Sequence, residues 1–401
     1  MLDSKKILFI TTLNLASNPR LVKEIDLAIL SKYEVSVICF EFNNWSKNYN
    51  KELLKRFDSV RFYIISAERR PYITWFIQSF KERFYRFAFN FFPLKLSQIS
   101  QAISRRSNMI IGVLNHIKHA DLVVGHNPGV LFPSLLAAKK FNCPVGFDME
   151  DYHPGEGPNA HLKRITFDCI KKCLPLFNYV SFSSELIKNR VEDDLNIKNK
   201  NWFTLLNYFP SSDFIHPYTQ SIGIIKFVWF SQNINFGRGL EGFIPLMDRL
   251  SNCELHLYGN INKHFFEKIL SNRKYIILHE PIPQIQLHRE LSNYDIGLAL
   301  DIAIDENRDL AITNKFLAYL QSGLFIVTSN TSAHRFLLEH HPINGMCLYD
   351  SYADNYPLLN NLLSNIDNIR KNRTERFNCF LNKSWETERT SLENKWADLL
   401  H

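Results

Sequence analysis

Several absences bound what this chain can be. Nowhere in its 401 residues is there a run of about 20 uncharged apolar residues, so a membrane-spanning helix is not expected. The seven cysteines (39, 143, 169, 173, 253, 347 and 379) form no CxxC pair and are odd in number, which argues against a complete disulfide framework and for a reducing cytoplasm. Cys169 and Cys173, four apart on an expected helix, could share a metal, but buried structural thiols are the simpler reading. The glycine-rich turn of a dinucleotide-binding domain is missing after Ile7 to Thr11, which argues against an oxidoreductase. Repeats and low-complexity tracts are absent as well. The basic residues form no recognised nucleic-acid-binding motif, so no nucleic-acid partner is expected.

What is present is the composition of a globular protein long enough for two domains, with 45% hydrophobic and 22% charged residues. A formal net charge of +7 and a pI near 8.9 favour anionic partners without naming one. Lys5-Lys6 ahead of Ile7 to Ala16 imitates a signal peptide. A first strand explains that stretch better, because Asn18-Pro19 then opens an amphipathic helix and Val35 to Cys39 supplies the next strand. Strand and helix signals alternate through Tyr179 to Phe182, break near Asn207 to Ser212, and resume at Phe227 to Phe230. The sequence therefore predicts an α/β protein of two Rossmann-like domains, at 1–210 and 211–383, with a final helix at 384–401.

In open parallel sheets, ligands bind beyond the carboxyl ends of the strands. Four such segments carry chemistry here. Gln232 to Glu241 holds Arg238 between Gly237 and Gly239, where small neighbours leave a guanidinium room to grip a diphosphate. Asn307 to Gly323 reads as a polar loop and a helix, with Thr313 as cap, Lys315 in the first turn and Gly323 as the left-handed stop; its free N–H groups and cation suit a phosphate. His126 closes a strand before the helix that Pro128 starts, placing it either at a ligand or in a structural hydrogen bond. Asp148 to Glu156 clusters carboxylates and an imidazole that could bind acceptor hydroxyls, hold a divalent cation, or only shape the loop.

Asn314-Lys315, Tyr319-Leu320 and Gly323 resemble the donor-binding segment of family 4-like glycosyltransferases, and Asn307-Arg308 followed by Thr313-Asn314-Lys315 resembles one branch of that superfamily. The resemblance runs from Asn18-Pro19-Arg20 to about Ser332. It implies the GT-B fold: two Rossmann-like domains facing a central cleft, with a C-terminal helix crossing back to the first. It also implies a nucleotide-sugar donor as substrate, no cofactor, no metal and retention of configuration. Gln232, Gly237, Arg238, Asn307, Arg308, Asp309, Thr313, Asn314 and Lys315 would bind the donor. His126 would act near the transferred sugar, and Arg20, Asp148, Glu150 and Asp151 would meet the acceptor, a glycan or lipid-linked glycan at the inner membrane face. Glu150 stands where the family often has histidine. Many relatives carry two glutamates at the positions of Leu310 and Ala318, so another acceptor would have to serve the donor hydroxyls; Glu306, Asp309 and Glu241 are the nearest. A nucleotide-sugar epimerase of the same shape and a non-catalytic glycan- or lipid-binding protein are the rival readings.

Residues 69–106 stand apart. At about 100° per residue, Ile73, Phe76, Ile77, Phe80, Phe84, Phe87 and Phe91 form one stripe, expected to serve the core. Trp75, Tyr85, Phe89 and Phe92, interleaved with Lys81, Arg83, Arg86 and Lys95, form a second set. That set suits an anionic membrane surface, a lipid tail or a partner; alternatively the helix is simply two-sided core.

Overall fold

The computed structural model describes residues 4–69, 71–217, 223–350 and 352–400. The chain divides into two compact units, Met1–Leu205 with Arg389–His401, and Leu206–Glu388. The first holds seven strands: β1 (Lys6–Thr11), β2 (Glu34–Glu41), β3 (Arg61–Ser66), β4 (Leu122–His126), β5 (Val145–Met149), β6 (Tyr179–Phe182) and β7 (Trp202–Thr204). They form one sheet in the order β3-β2-β1-β4-β5-β6-β7, and every pairing is parallel. Runs such as Ile7-Leu8-Phe9-Ile10 and Leu122-Val123-Val124 are buried throughout, as strands covered by helices on both faces require.

The second unit repeats the plan with β8 (Ile225–Ile234), β9 (Cys253–Ile261), β10 (Ile276–His279), β11 (Ile296–Ala299), β12 (Phe325–Thr328) and β13 (Gly345–Cys347), ordered β10-β9-β8-β11-β12-β13. These strands are also all parallel. In both sheets the order reverses beside the first strand of the unit, so a topological switch point lies between β1 and β4 and between β8 and β11. That is where a crevice opens in such sheets. The chain then returns to the first unit. There Trp396, within the Trp385–Leu400 helix, is fully buried, donates from Nε1 to the Tyr179 hydroxyl at 2.8 Å and packs edge-on to Phe9.

Local signals explain the helices nearest the switch points. Asn18 caps the Pro19–Leu30 helix, its Oδ1 accepting from the Leu21 N–H, and Pro19 supplies a preset first turn. The Asn314–Gln321 helix ends where Gly323 takes φ 69°, the expected left-handed stop. Thr313 does stand at that helix's N-cap, but its hydroxyl makes no capping bond and lies near the Asp301 carboxylate instead.

The Tyr72–Ala88 helix corrects the sequence reading. The stripe assigned to the core faces outward, with Ile73, Phe76, Phe80, Phe84, Phe87 and Phe91 each between 51% and 77% exposed. Of the second set, Trp75, Tyr85 and Phe89 are half-buried, and only Phe92 is exposed as expected. Hydrogen bonding decides the orientation. Arg86 donates from Nε to the Ala102 carbonyl at 2.7 Å and also reaches Ile103 and Glu82, while Gln78 accepts from Asn108 at 3.1 Å. The Arg69 and Arg105 guanidinium groups lie 5.3 and 5.5 Å from the Trp75 ring centroid.

Candidate functional site

At the β1/β4 switch point of the first unit, four charged side chains lie together beneath the surface. Arg20 grips Asp148 in a fork, Nε to Oδ2 at 2.6 Å and Nη2 to Oδ1 at 2.5 Å, and gives its remaining Nη1 to the Leu205 carbonyl at 2.9 Å. Ser181 donates to Asp148 Oδ1 at 2.7 Å. His126, only 2% exposed, places Nε2 3.2 Å from Glu24 and Nδ1 3.6 Å from Asp148. Burial alone would raise the Asp148 carboxyl and lower the His126 imidazole, but Arg20 holds Asp148 below the usual carboxylate range, and Glu24 with Asp148 lifts His126 above its ordinary value. Burial pushes the Glu24 carboxyl upward, and the neighbouring His126 opposes that rise.

Three residues expected at a ligand lie in this cluster. Arg20, Asp148 and His126 are buried, and their polar atoms are spent on one another instead of facing a ligand. Glu24, His126 and Asp148 do bring ligand-type atoms within 4.8 Å of one another. A hard divalent cation nevertheless gains little there, because the Arg20 guanidinium already fills the place of the cation and occupies both Asp148 oxygens.

The residues that follow these strands do open to solvent. A groove of about 540 Å³ in the first unit is lined by Asn127, Glu150, Asp151, His153, Glu156 and Lys163 among others. Asn127 sits at φ 79° and ψ 151°, a region almost confined to glycine, and is held there by the Thr11 hydroxyl, which donates to its Oδ1 at 2.7 Å. His153 keeps Nδ1 3.1 Å from Glu156, and its buried Nε2 has no partner among the described residues. Burial, reinforced by the neighbouring Asp151 charge, pushes the Glu150 carboxyl up to about 7. A carboxyl poised near neutrality in a polar groove can accept a proton from a hydroxyl or orient one.

In the second unit, Gly237 and Gly239 have φ of 75° and 84°, and a Cβ on Gly239 would lie 2.8 Å from the Leu300 carbonyl oxygen. That close approach sets the Arg238 loop against the carboxyl end of β11. The next residue, Asp301, holds Lys315 at 3.5 Å, and Lys315 also lies 5.7 Å from the Trp229 ring centroid. Burial raises the Asp301 carboxyl, but Lys315 outweighs it and keeps the group ionised. Arg238 and Gln232 are exposed, and among the described residues Arg238 has no ion pair. Asn314 is exposed and accepts from Asn207 at 2.9 Å; Arg308 is exposed and Asn307 is buried. Asp309 is already committed, its two oxygens accepting from the N–H and hydroxyl of Ser332 at 2.9 and 2.6 Å.

Two carboxylates keep an oxygen in reserve. Asp301 Oδ2 is buried and, among the described residues, has only the nearby Thr313 hydroxyl to turn to; it borders a groove of about 270 Å³ with Ser329, Asn330 and Thr331. Glu241 accepts from the Gly237 N–H at 2.6 Å through one oxygen and leaves the other buried, with no partner among the described residues. Glu241 was nominated from sequence and Asp301 was not. The available signal was position: Asp301 immediately follows the Asp295 to Leu300 run, at a strand's carboxyl end.

No protein-family model matches the chain, and no curated protein sequence matches it. Solved structures do. Anabaena HepE in complex with UDP aligns over 98% of this chain and 100% of its own, at 11% identity and a TM-score of 0.69. The fold is GT-B. Sucrose-phosphate synthase from Thermosynechococcus elongatus aligns over 98% and 99% at 10% identity and a TM-score of 0.64. A putative UDP-N-acetylglucosamine 2-epimerase from Listeria monocytogenes follows at 94% and 91% coverage, 14% identity and 0.53. At such identities the likeness is one of fold.

Proposed function

We propose that the protein is a glycosyltransferase that moves a sugar from a nucleoside-diphosphate donor to a glycan or lipid-linked glycan, with retention, on the cytoplasmic side of a membrane in polysaccharide or glycolipid synthesis. The observation that carries this reading is Arg238, exposed and without an ion pair among the described residues, in a loop whose Gly239 packs on Leu300 at the end of β11, the residue before the Lys315-paired Asp301. The Anabaena neighbour was crystallised with UDP and with UDP-glucose, which supports a nucleotide-sugar donor.

In this reading Arg238, Lys315 and the free N–H groups at the start of the Asn314–Gln321 helix stabilise the departing diphosphate. Asp301 offsets part of the Lys315 charge, which leaves Arg238 as the larger contributor. Asp301 and Glu241 offer the carboxylate oxygens that donor hydroxyls need, in place of the glutamates missing at Leu310 and Ala318. Gln232, Gly237, Asn307, Arg308, Thr313 and Asn314 complete the donor side. Glu150, with Asp151 beside it, binds the acceptor hydroxyl, while Arg20, Asp148 and His126 position that wall from below. No metal or cofactor takes part.

Incubating the protein with a panel of nucleotide sugars and acceptors tests this: nucleoside diphosphate should be released only when an acceptor is present. The epimerase neighbour favours a second reading. Free sugar or epimerised donor formed without any acceptor would select it.

A further inference from the structure

The Tyr72–Ala88 helix is amphipathic in the wrong sense for a monomer in water. Its polar face, with Gln78, Ser79, Glu82 and Arg86, is the one hydrogen-bonded to the protein. Its apolar face is bare: Ile73, Phe76, Phe80, Phe84, Phe87 and Phe91 run along one side, and Phe92 continues it at 66% exposed. Spread over helical rise, this strip is about 27 Å long. Its exposed area, on the order of 1,000 Å² for that many half- to three-quarter-exposed rings, exceeds the roughly 300–600 Å² of the largest patch on an ordinary monomer.

Charge says what covers it. Residues 69–106 contain eight of the chain's 47 lysines and arginines but one of its 40 acidic residues, Glu82. The whole formal excess of +7 therefore resides in this segment, and the rest of the chain is balanced. Glu82 is itself neutralised by Arg86. Around the helix, Arg83 and Lys81 fall about 80° to either side of the stripe's centre, so a cation borders the apolar strip on each edge. Lys95 is exposed in the segment just beyond.

We infer that this helix lies in the interface of an anionic lipid bilayer, with the Ile73–Phe91 stripe inserted among the acyl chains and Lys81, Arg83 and Lys95 among the headgroups. An apolar ridge flanked by cations matches that boundary, where hydrocarbon meets negative charge. A second copy of the chain would bring the same positive segment against itself. The inserted face is the opposite of the Trp75, Tyr85 and Phe89 face that the sequence pointed to. This docking is independent of sugar transfer, and its test contains no nucleotide, so the two readings can fail separately.

The test is flotation of the full chain with vesicles of phosphatidylcholine alone or mixed with phosphatidylglycerol. The parent should float with the anionic vesicles and be released at about 0.5 M salt. The variant with Phe76, Phe80, Phe84 and Phe87 changed to serine should bind at least about tenfold less, and the variant with Lys81, Arg83 and Lys95 changed to glutamine should lose its preference for phosphatidylglycerol. Phe80→Trp, made in the otherwise unchanged protein, should add emission that shifts to the blue when anionic vesicles are added. Absence of flotation by the parent, equal flotation of the serine variant, or an unshifted emission from the Phe80→Trp variant overturns the inference. So does a dimer in sedimentation that the serine variant dissolves while vesicles leave the parent unbound.

Discussion

Replacing Asp148 with asparagine separates a structural from a ligand-contacting role for the buried cluster. Asp148 is 1% exposed and accepts two short bonds from Arg20 and one from Ser181. The substitution Asp148→Asn keeps the shape but removes the charge, stranding a guanidinium in the interior and leaving His126 without one of its two anions. Breaking a buried pair from one side costs about 3–5 kcal/mol. For a domain of this size each kcal/mol moves the midpoint by roughly 2–4 °C, so the first unit should melt about 6–20 °C lower. Thermal melts followed by circular dichroism read this directly. Because Arg20 depresses the Asp148 carboxyl, its stabilisation is complete above the ordinary carboxylate value and disappears as pH falls through the depressed one. The asparagine variant should accordingly lose that part of the parent's acid dependence. The double change of Arg20 to methionine and Asp148 to leucine should recover much of the loss. A melt within about 1 °C of the parent for Asp148→Asn would refute the reasoning and return Asp148 to the ligand.

Arg238→Ala should weaken nucleoside-diphosphate binding by about 1.5–3 kcal/mol, measured by titration, with no change in melting, because the residue is exposed and without an ion pair among the described residues. Lys315→Ala should weaken binding and also destabilise the second unit, since it strands the buried Asp301 charge; unchanged melting would place Asp301 in solvent. At least one of Asp301→Asn and Glu241→Gln should cost about 1–3 kcal/mol in nucleotide-sugar affinity, and tight binding by both would remove them as hydroxyl acceptors. Glu150→Gln should abolish a kinetic limb near pH 7. Because burial raises Glu150 to about 7, the folded state holds its proton longer than the unfolded chain, so stability falls as pH rises through that window, and the glutamine variant should melt higher above it; identical pH profiles would place Glu150 outside the chemistry.

How far the sequence reached depended on whether a property is local. Hydrophobic runs such as Ile7 to Ile10 and Val35 to Phe40 are strands because both sheet faces are covered, and the three-residue edge strands β7 and β13 went unexpected because too few residues carry the pattern. Gly323 and Pro19 act within one turn, and both are where local chemistry puts them. What lies beyond the sequence's reach are contacts made across the chain. Periodicity defined the Ile73–Phe91 stripe, but which side faces inward is fixed by Arg86 and the Ala102 and Ile103 carbonyls, 16 and 17 residues away. Position at strand ends singled out His126 and Asp148, yet nothing near them in sequence announces that Arg20 and Glu24, on a helix over 100 residues earlier, bury them. Asp309 looked available until Ser332 claimed it.

The most direct measurement is calorimetric titration of the parent chain and of Arg238→Ala with UDP, other nucleoside diphosphates and their sugars. The proposed donor site predicts saturable one-to-one binding of at least one nucleoside diphosphate, weakened about 10- to 150-fold by the substitution. Binding that Arg238→Ala leaves intact, or no binding of any nucleotide by the parent, would contradict it.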